Sequence, residues 1–415
     1  MTIRLQPKAL FRSFAMMIVR RCKTLVAVLG GFMLVGSSFG ADWPNWRGPH
    51  YDGHSSETGF KTSWDGDLNT VWTREIGAGY SGISIVKGRV YTCGTAAGKQ
   101  VLLCLDATTG KPIWEQPFEK QYRDSMGSGT RGTPTVDDGR VYVMGARGKL
   151  ACFKASDGSE IWSRKYDRVP QWGYSGSVLI QGKLAIAVTG GKDGALRAFD
   201  KRTGKEVWKC GSDGDPGYST PYPFAFAGTT YVCSFFGNSL VIAELGSGRE
   251  VLAMPWKTDW KVNAATPIFH DGHLFLSSGY TTGCGLYKLR KTGDKLEARE
   301  VWRSKVLLNK FQTPVLHEGK LYTFDQKAFK CVDFMSGKEL WKRRGRHGTV
   351  ILADGRLIAL TAKGRLQIAK ASPSGFEPTG EANILDDRCW TVPTLCEGRL
   401  YARNLERIVC VDLRG

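Results

Sequence analysis

One unit recurs along almost the whole chain: Gly-basic-Val/Leu-Tyr, a turn, a strand, then Asp-x-x-Thr/Ser-Gly-Lys-x-x-Trp. It stands at Gly88–Trp114, Gly139–Trp162, Gly182–Trp208 and Gly319–Trp341. Weaker copies run from Gly228 to Leu252 and from Gly272 to Trp302. The copy from Gly355 has no Trp, and a last partial copy spans Gly398–Leu413. The marker glycines Gly88, Gly139, Gly182, Gly228, Gly272, Gly319, Gly355 and Gly398 recur about every 44 residues, the length of a four-stranded blade. The length of 415 residues suggests two or three domains; the repeat favours one large all-β ring instead.

Each unit reads as strands. Alternation has period two, as in Val141-Tyr142-Val143 and Leu196-Arg197-Ala198-Phe199. The Thr-Gly or Ser-Gly pair suits a tight turn with Gly at positive φ, and the Asp before it can bond its own backbone. The Trp on the outer strand is expected to dock on the neighbouring blade. The two ends complement each other: Cys389–Leu413 supplies three strands and stops short of a Trp strand, and Asn69-Thr70-Val71-Trp72-Thr73 has that strand's character with none before it. The expectation is an all-β fold, a single eight-bladed β-propeller of four-stranded antiparallel blades, closed by an N-terminal strand pairing with the C-terminal strands. Seven blades is the alternative if the Gly355 copy is degenerate. Closure leaves no open sheet edge.

Hydrophobic residues at 42% and charged residues at 23% exclude wholesale disorder. The one long apolar stretch lies near the N-terminus, which excludes a polytopic membrane protein. Arg20-Arg21-Cys22-Lys23, the apolar Thr24–Gly36 and Ser38-Phe39-Gly40 before Ala41 read as a secretory signal; an uncleaved anchor is the competing reading. The expected organisation is a signal peptide over 1–40, a lead-in over 41–65 and the propeller over 66–415, in a protein exported to the periplasm or cell envelope with no membrane span after cleavage, as a monomer. The formal net charge is +19, and removing Arg4, Lys8, Arg12, Arg20, Arg21 and Lys23 leaves about +13. Such a surface favours polysaccharide, lipid headgroups or acidic protein. The basic residues are dispersed apart from Lys342-Arg343-Arg344-Gly345-Arg346, so nucleic acid is not expected.

The recurring Asp-x-x-Thr-Gly-Lys-x-x-Trp unit resembles the pyrroloquinoline quinone (PQQ) repeat of quinoprotein alcohol dehydrogenase-like propellers, and the likeness covers roughly residues 66–415. The lead-in Asp42-Trp43-Pro44-Asn45-Trp46-Arg47-Gly48-Pro49, followed by Asp52-Gly53, is similar to that of exported bacterial members. The style is that of non-catalytic members resembling the outer-membrane protein assembly propeller, which use no cofactor. The resemblance also implies an alternative, a PQQ- and Ca²⁺-dependent dehydrogenase of alcohols or sugars.

There is no Cys-Cys pair and no Cys-x-x-Cys-His haem site. Asp106, Asp157, Asp200 and Asp333 are repeat-turn elements, which does not suit a catalytic carboxylate. His270-Asp271-Gly272-His273 occupies a hairpin turn, so no metal site is expected there. No Gly-x-Ser-x-Gly elbow or Walker loop exists, so no catalytic residue is assigned and the chain reads as a binding protein more than an enzyme. Of eleven cysteines, Cys104, Cys152, Cys331 and Cys410 share one repeat position that wants a small buried side chain. Cys93 and Cys104 straddle a hairpin and are the candidate disulfide.

A binding surface follows from aligning the innermost strands at Thr133-Pro134, Thr220-Pro221, Thr266-Pro267, Thr313-Pro314 and Val392-Pro393. Counting back two residues brings Tyr80, Arg131, Tyr174, Tyr218, Phe311, His347 and Trp390 to the channel mouth, with Arg346 alongside. Aromatic rings and guanidinium groups at a funnel suit a carbohydrate face, a planar ligand or a peptide hot spot. The expected function is a non-catalytic scaffold for an envelope protein or polysaccharide.

Overall fold

Two-residue turns set the repeat. In seven of the units the marker glycine lies in the left-handed region together with the residue before it, as at Lys87-Gly88 (φ 51° and 69°) and Asp138-Gly139 (46° and 70°). That pair of dihedrals matches the twist of the strands on either side, so each turn folds the innermost strand back on the second. The computed structural model describes residues 42–415, and the expected signal at 1–40 lies outside them.

The strands form eight sheets. Blade 1 contains Ser84–Val86, Arg89–Ala96, Lys99–Asp106 and Pro112–Lys120, each antiparallel to the next. Blades 2 to 7 repeat this over 135–165, 179–210, 222–255, 268–304, 315–344 and 349–383. Blade 8 takes Thr394–Cys396, Arg399–Arg403 and Arg407–Asp412, and its outer strand is Thr70–Glu75 from the other end of the chain. Trp72 lies opposite Cys410 there, as Trp114 lies opposite Cys104 in blade 1. The fold is therefore an eight-bladed propeller closed as the ends of the chain suggested. The seven-blade alternative fails because the Gly355 copy is a complete blade. The one helical element among the described residues is a 3-10 turn at Asp259–Lys261, and no helix there is long and apolar enough to cross a membrane.

The Trp of one blade clasps the next. Trp162 Nε1 donates to Lys201 O at 3.1 Å, and Tyr142 Oη donates to the same carbonyl at 3.1 Å. Trp72 and Tyr401 share Ala107 O in the same way, at 3.0 and 3.1 Å. The small cysteine position now has its reason: Cys152 sits between Tyr142 and Trp162 on the two flanking strands, as Cys410 sits between Tyr401 and Trp72. Five of these rings, those of Trp72, Trp114, Trp162, Trp208 and Trp302, then cover the turn glycine of the blade they meet. At Gly204, where φ is 69°, a Cβ would stand 2.6 Å from the Trp162 ring. The repeat Asp holds that turn, Asp200 Oδ1 accepting from the Thr203 amide and hydroxyl, both at 2.9 Å.

Blade 7 shows what replaces a missing Trp. Gly380 occupies the Trp position, opposite Ile368. A Cβ on Gly380 would fall 2.4 Å from the ring of Trp64, whose Nε1 donates to Glu381 O at 3.2 Å. The lead-in thus supplies from outside the indole that the repeat lost.

The candidate disulfide is corrected by register. The hairpin turns at Ala97-Gly98, so Cys93 lies opposite Leu102 and Cys104 opposite Tyr91. All ten described cysteines are free thiols, and all but Cys210 are buried. Burial pushes the Cys104 thiol up to about 11 and Cys93 to about 12, so few thiolates exist at neutral pH. Denaturing alkylation without reductant is expected to label every cysteine in intact-mass measurement; a species two hydrogens lighter with two unlabelled sites would contradict the structure.

Candidate functional site

A ladder of hydroxyls fixes the end of the ring where the chain enters the innermost strands. Thr133 Oγ1 accepts from Gly82 N at 3.1 Å, Ser177 Oγ from Thr133 N at 2.9 Å and Thr220 Oγ1 from Ser177 N at 3.0 Å. Thr313 Oγ1 accepts from Thr266 N in the same way at 2.9 Å. Each bond ties one blade to the next at the axis. Two residues before this ladder the side chains leave it and surround a cavity of about 380 Å³.

Tyr80, Arg131, Tyr218, Phe311 and Trp390 line that cavity together. Tyr80 and Trp390 stack with centroids 5.6 Å apart and planes 13° apart, and Phe311 packs on Trp390 at 4.8 Å. The Tyr80 hydroxyl donates to Met126 O and accepts from Arg388 at 3.0 Å. Burial raises its pKa, against the lowering effect of Arg388 and Arg131.

Three expected residues sit elsewhere. Tyr174 is buried, its hydroxyl donating to Thr189 O at 2.8 Å, and Ser175 takes its place in the lining. The cause is one turn: in blade 3, Gln181 pairs with Leu184, so Gly182 is the first central residue and Lys183 is not left-handed. An alignment that gives this blade the same spacing as the others therefore slips by one, and a one-residue slip turns a side chain to the opposite face. His347 stands behind the lining, stacked on Phe311 at 5.5 Å. Burial, then Lys310 and Arg346, hold its imidazole below the usual range. Arg346 is exposed and outside the lining.

Other lining residues escaped the sequence reading. Trp172 and Trp260 come from connections between blades, Tyr280 from a hairpin, and none has a fixed repeat offset. Trp260 is 64% exposed and holds a left-handed backbone at φ 64°, uncommon for a bulky side chain. Lys310, beside Phe311, has its Nζ 5.1 Å from the Tyr280 ring centre. Trp46 reaches the cavity from the lead-in, donating to Thr266 Oγ1 at 3.3 Å.

The lead-in crosses the axis. Pro44 O accepts from Val136 N at 2.8 Å, and the Arg47 guanidinium donates to Thr313 O and Pro314 O at 2.8 and 2.7 Å. His54–Ser55 adds a parallel strand to the innermost strand of blade 7, and Glu57 accepts from the Glu397 and Gly398 amides in blade 8. Arg47, 2% exposed, is held by carbonyls at the centre, and burial lowers its pKa to about 10.

The lining contains no Asp or Glu and no His. It can stack a ring, hydrogen-bond through Ser175, Thr220 and Thr391, and attract negative charge through Arg131 and Lys310. Among the described residues no group of three His, Cys, Asp or Glu side chains is placed to hold a metal.

The family model described as outer membrane protein assembly factor BamB matches residues 61–291. The outer membrane protein assembly factor BamB of Burkholderia pseudomallei is 26% identical over 193 residues, 46% of this chain and 46% of that protein. The quinohemoprotein alcohol dehydrogenase ADH-IIG of Pseudomonas putida is 30% identical over 138 residues, 30% of this chain and 18% of that enzyme. The matched stretches thus span less than half the length of these two relatives. The crystal structure of BamB from Moraxella catarrhalis superposes with a TM-score of 0.57 at 16% identity, over 84% of this chain and 98% of that one, which shows a shared fold.

The quinoprotein likeness raises PQQ with Ca²⁺. Calcium takes six to eight oxygen ligands, with carboxylates prominent. The mouth offers hydroxyls and no carboxylate or side-chain amide, so its residues do not fit the calcium-bound quinone.

Proposed function

We propose, for a chain that belongs to the family of the outer membrane protein assembly factor BamB, that the protein is a non-catalytic binding platform of the bacterial cell envelope. Its working surface is the aromatic mouth of the ring, and its partner is an envelope protein or polysaccharide. The observation that carries this is the cavity bounded by Tyr80, Arg131, Tyr218, Phe311 and Trp390 without a carboxylate to act as acid, base or metal ligand. A rigid ring with a concave, mostly apolar centre and a few oriented polar groups is the ordinary form of a binding site. The BamB relatives support an envelope location and a protein partner.

The dehydrogenase relative makes a quinone enzyme the competing reading. The protein mixed with PQQ, Ca²⁺, alcohols or sugars and a dye acceptor is expected to leave the dye oxidised. Saturable binding to envelope fractions is expected, and Trp390→Ala abolishes it with the melting transition retained. Dye reduction dependent on stoichiometric quinone establishes the dehydrogenase instead.

A further inference from the structure

The mouth carries positive charge that the protein itself does not neutralise. Arg131 and Lys310 line it and Arg388 reaches it through Tyr80, and none has a carboxylate within ion-pair distance among the described residues. Some cations elsewhere on the surface are paired, as in Arg197 with Glu206 and Lys320 with Asp333; at the mouth the unpaired ones gather around one cavity. Arg131 is half-buried, its terminal nitrogens bonded only to the carbonyls of Gly129 and Gly127, and burial lowers its pKa. Asp124 and Asp387 lie near Arg131 and Arg388 and form no ion pair with them. A partly desolvated cation without a countercharge is costly, and an anionic ligand removes that cost.

The geometry also selects the shape of the ligand. An extended peptide adds to a sheet through free backbone groups. Here the backbone is already bonded between blades: Tyr80 N donates to Thr130 O at 2.9 Å, Tyr218 N to Asn263 O at 3.0 Å, and Thr266 N to the Thr313 hydroxyl. Ring faces and hydroxyl oxygens remain. Trp260, 64% exposed, presents a flat apolar surface in the same lining as Trp390 and Phe311, and the Ser175 and Thr391 hydroxyls, which donate to the carbonyls of Tyr218 and Tyr80, keep lone pairs for a ligand's hydroxyls. The cavity, about 380 Å³, suits a compact ring better than a long chain.

We propose that the mouth binds a ring-borne carboxylate, namely the uronic acid residue of an acidic polysaccharide. The sugar's C–H face lies against the aromatic wall, and its carboxylate is held by Lys310, with Arg131 adding positive potential from across the mouth. This inference rests on the reading of the mouth as the binding surface and narrows it to one ligand class.

Isothermal titration calorimetry of the full chain tests it with three probes: an oligogalacturonate, the neutral galactose oligomer of the same length, and an acidic aromatic peptide. The expected result is saturable binding of the oligogalacturonate alone, weakened by added salt. Lys310→Gln is expected to weaken it about tenfold and Lys310→Glu to abolish it. Among the described residues the Lys310 side chain makes no hydrogen bond or ion pair, so both variants are expected to melt as the wild type does. Silence of the oligogalacturonate, equal binding of the neutral oligomer, or indifference to Lys310→Glu overturns the proposal. Peptide binding that Trp390→Ala removes, with the oligogalacturonate silent, sinks the uronate inference and keeps the mouth as the binding surface. Envelope-fraction binding unaffected by Trp390→Ala sinks the mouth itself.

Discussion

Trp72→Ala is expected to destabilise the protein by about 3–5 kcal/mol and to open the ring. Trp72 is 9% exposed, covers Gly110 of blade 1 and donates to Ala107 O at 3.0 Å. It also lies 5.9 Å from the ring of Tyr401, which uses the same carbonyl. Its strand, Thr70–Glu75, comes from the far end of the chain, so only non-covalent contacts hold this seam. Trp162→Ala is the control. That indole makes the equivalent contacts, to Lys201 O and Gly204, from a blade whose four strands are continuous in sequence. Its loss costs packing; the loss of Trp72 costs packing and closure, and exposes the edges of blade 8 to other molecules. Urea titration and light scattering on the two variants measure the difference. Equal midpoints with no association would mean that closure adds nothing beyond local packing.

Arg47→Ala is expected to release the lead-in. Three carbonyls lose their donor: Thr313 O, Pro314 O and Asp52 O, at 2.8, 2.7 and 2.6 Å. Leaving buried acceptors unsatisfied costs roughly 1–3 kcal/mol each before water or rearrangement compensates. The backbone has closed around the guanidinium: at Gly53 a Cβ would meet it at 2.9 Å. Arg47→Lys keeps the charge and loses the planar fork, so an intermediate loss is expected. Limited chymotrypsin digestion followed by mass spectrometry reads the outcome, because Trp43, Trp46 and Tyr51 lie in the segment. Faster cleavage at these residues in Arg47→Ala, with a lower melting temperature, is the expected result. Unchanged cleavage would mean that the lead-in is held elsewhere, for example by Glu57 on blade 8.

Much of the ring was legible because its signals are local. A glycine after Asp, Lys or Glu marks a turn, alternation marks the strands, and the Thr-Gly pair with a following Trp marks the outer hairpin. Where a signal failed, one residue explains it. Gly182 holds the first turn position in blade 3, so an alignment with the other innermost strands put Tyr174 where Ser175 belongs. Ala97-Gly98 sets the blade 1 hairpin so that Cys93 meets Leu102. The loss of Trp from the Gly355 copy left seven blades open as the alternative to eight, since nothing in that copy shows Trp64 arriving from outside to cover Gly380.

The repeat alone determined the blades, their antiparallel order, the clasping Trp and the closure, because each rests on contacts that recur at fixed offsets in every copy. Tertiary structure decided what lies at the axis. Arg47 reaches Thr313 across 266 residues, and Tyr80 meets Trp390 only once the ring has closed. The inter-blade loops that bring Trp172, Trp260 and Lys310 to the mouth follow no period. A period specifies how one unit packs on the next; which side chains converge at the centre depends on all eight units at once, and no single copy contains that information.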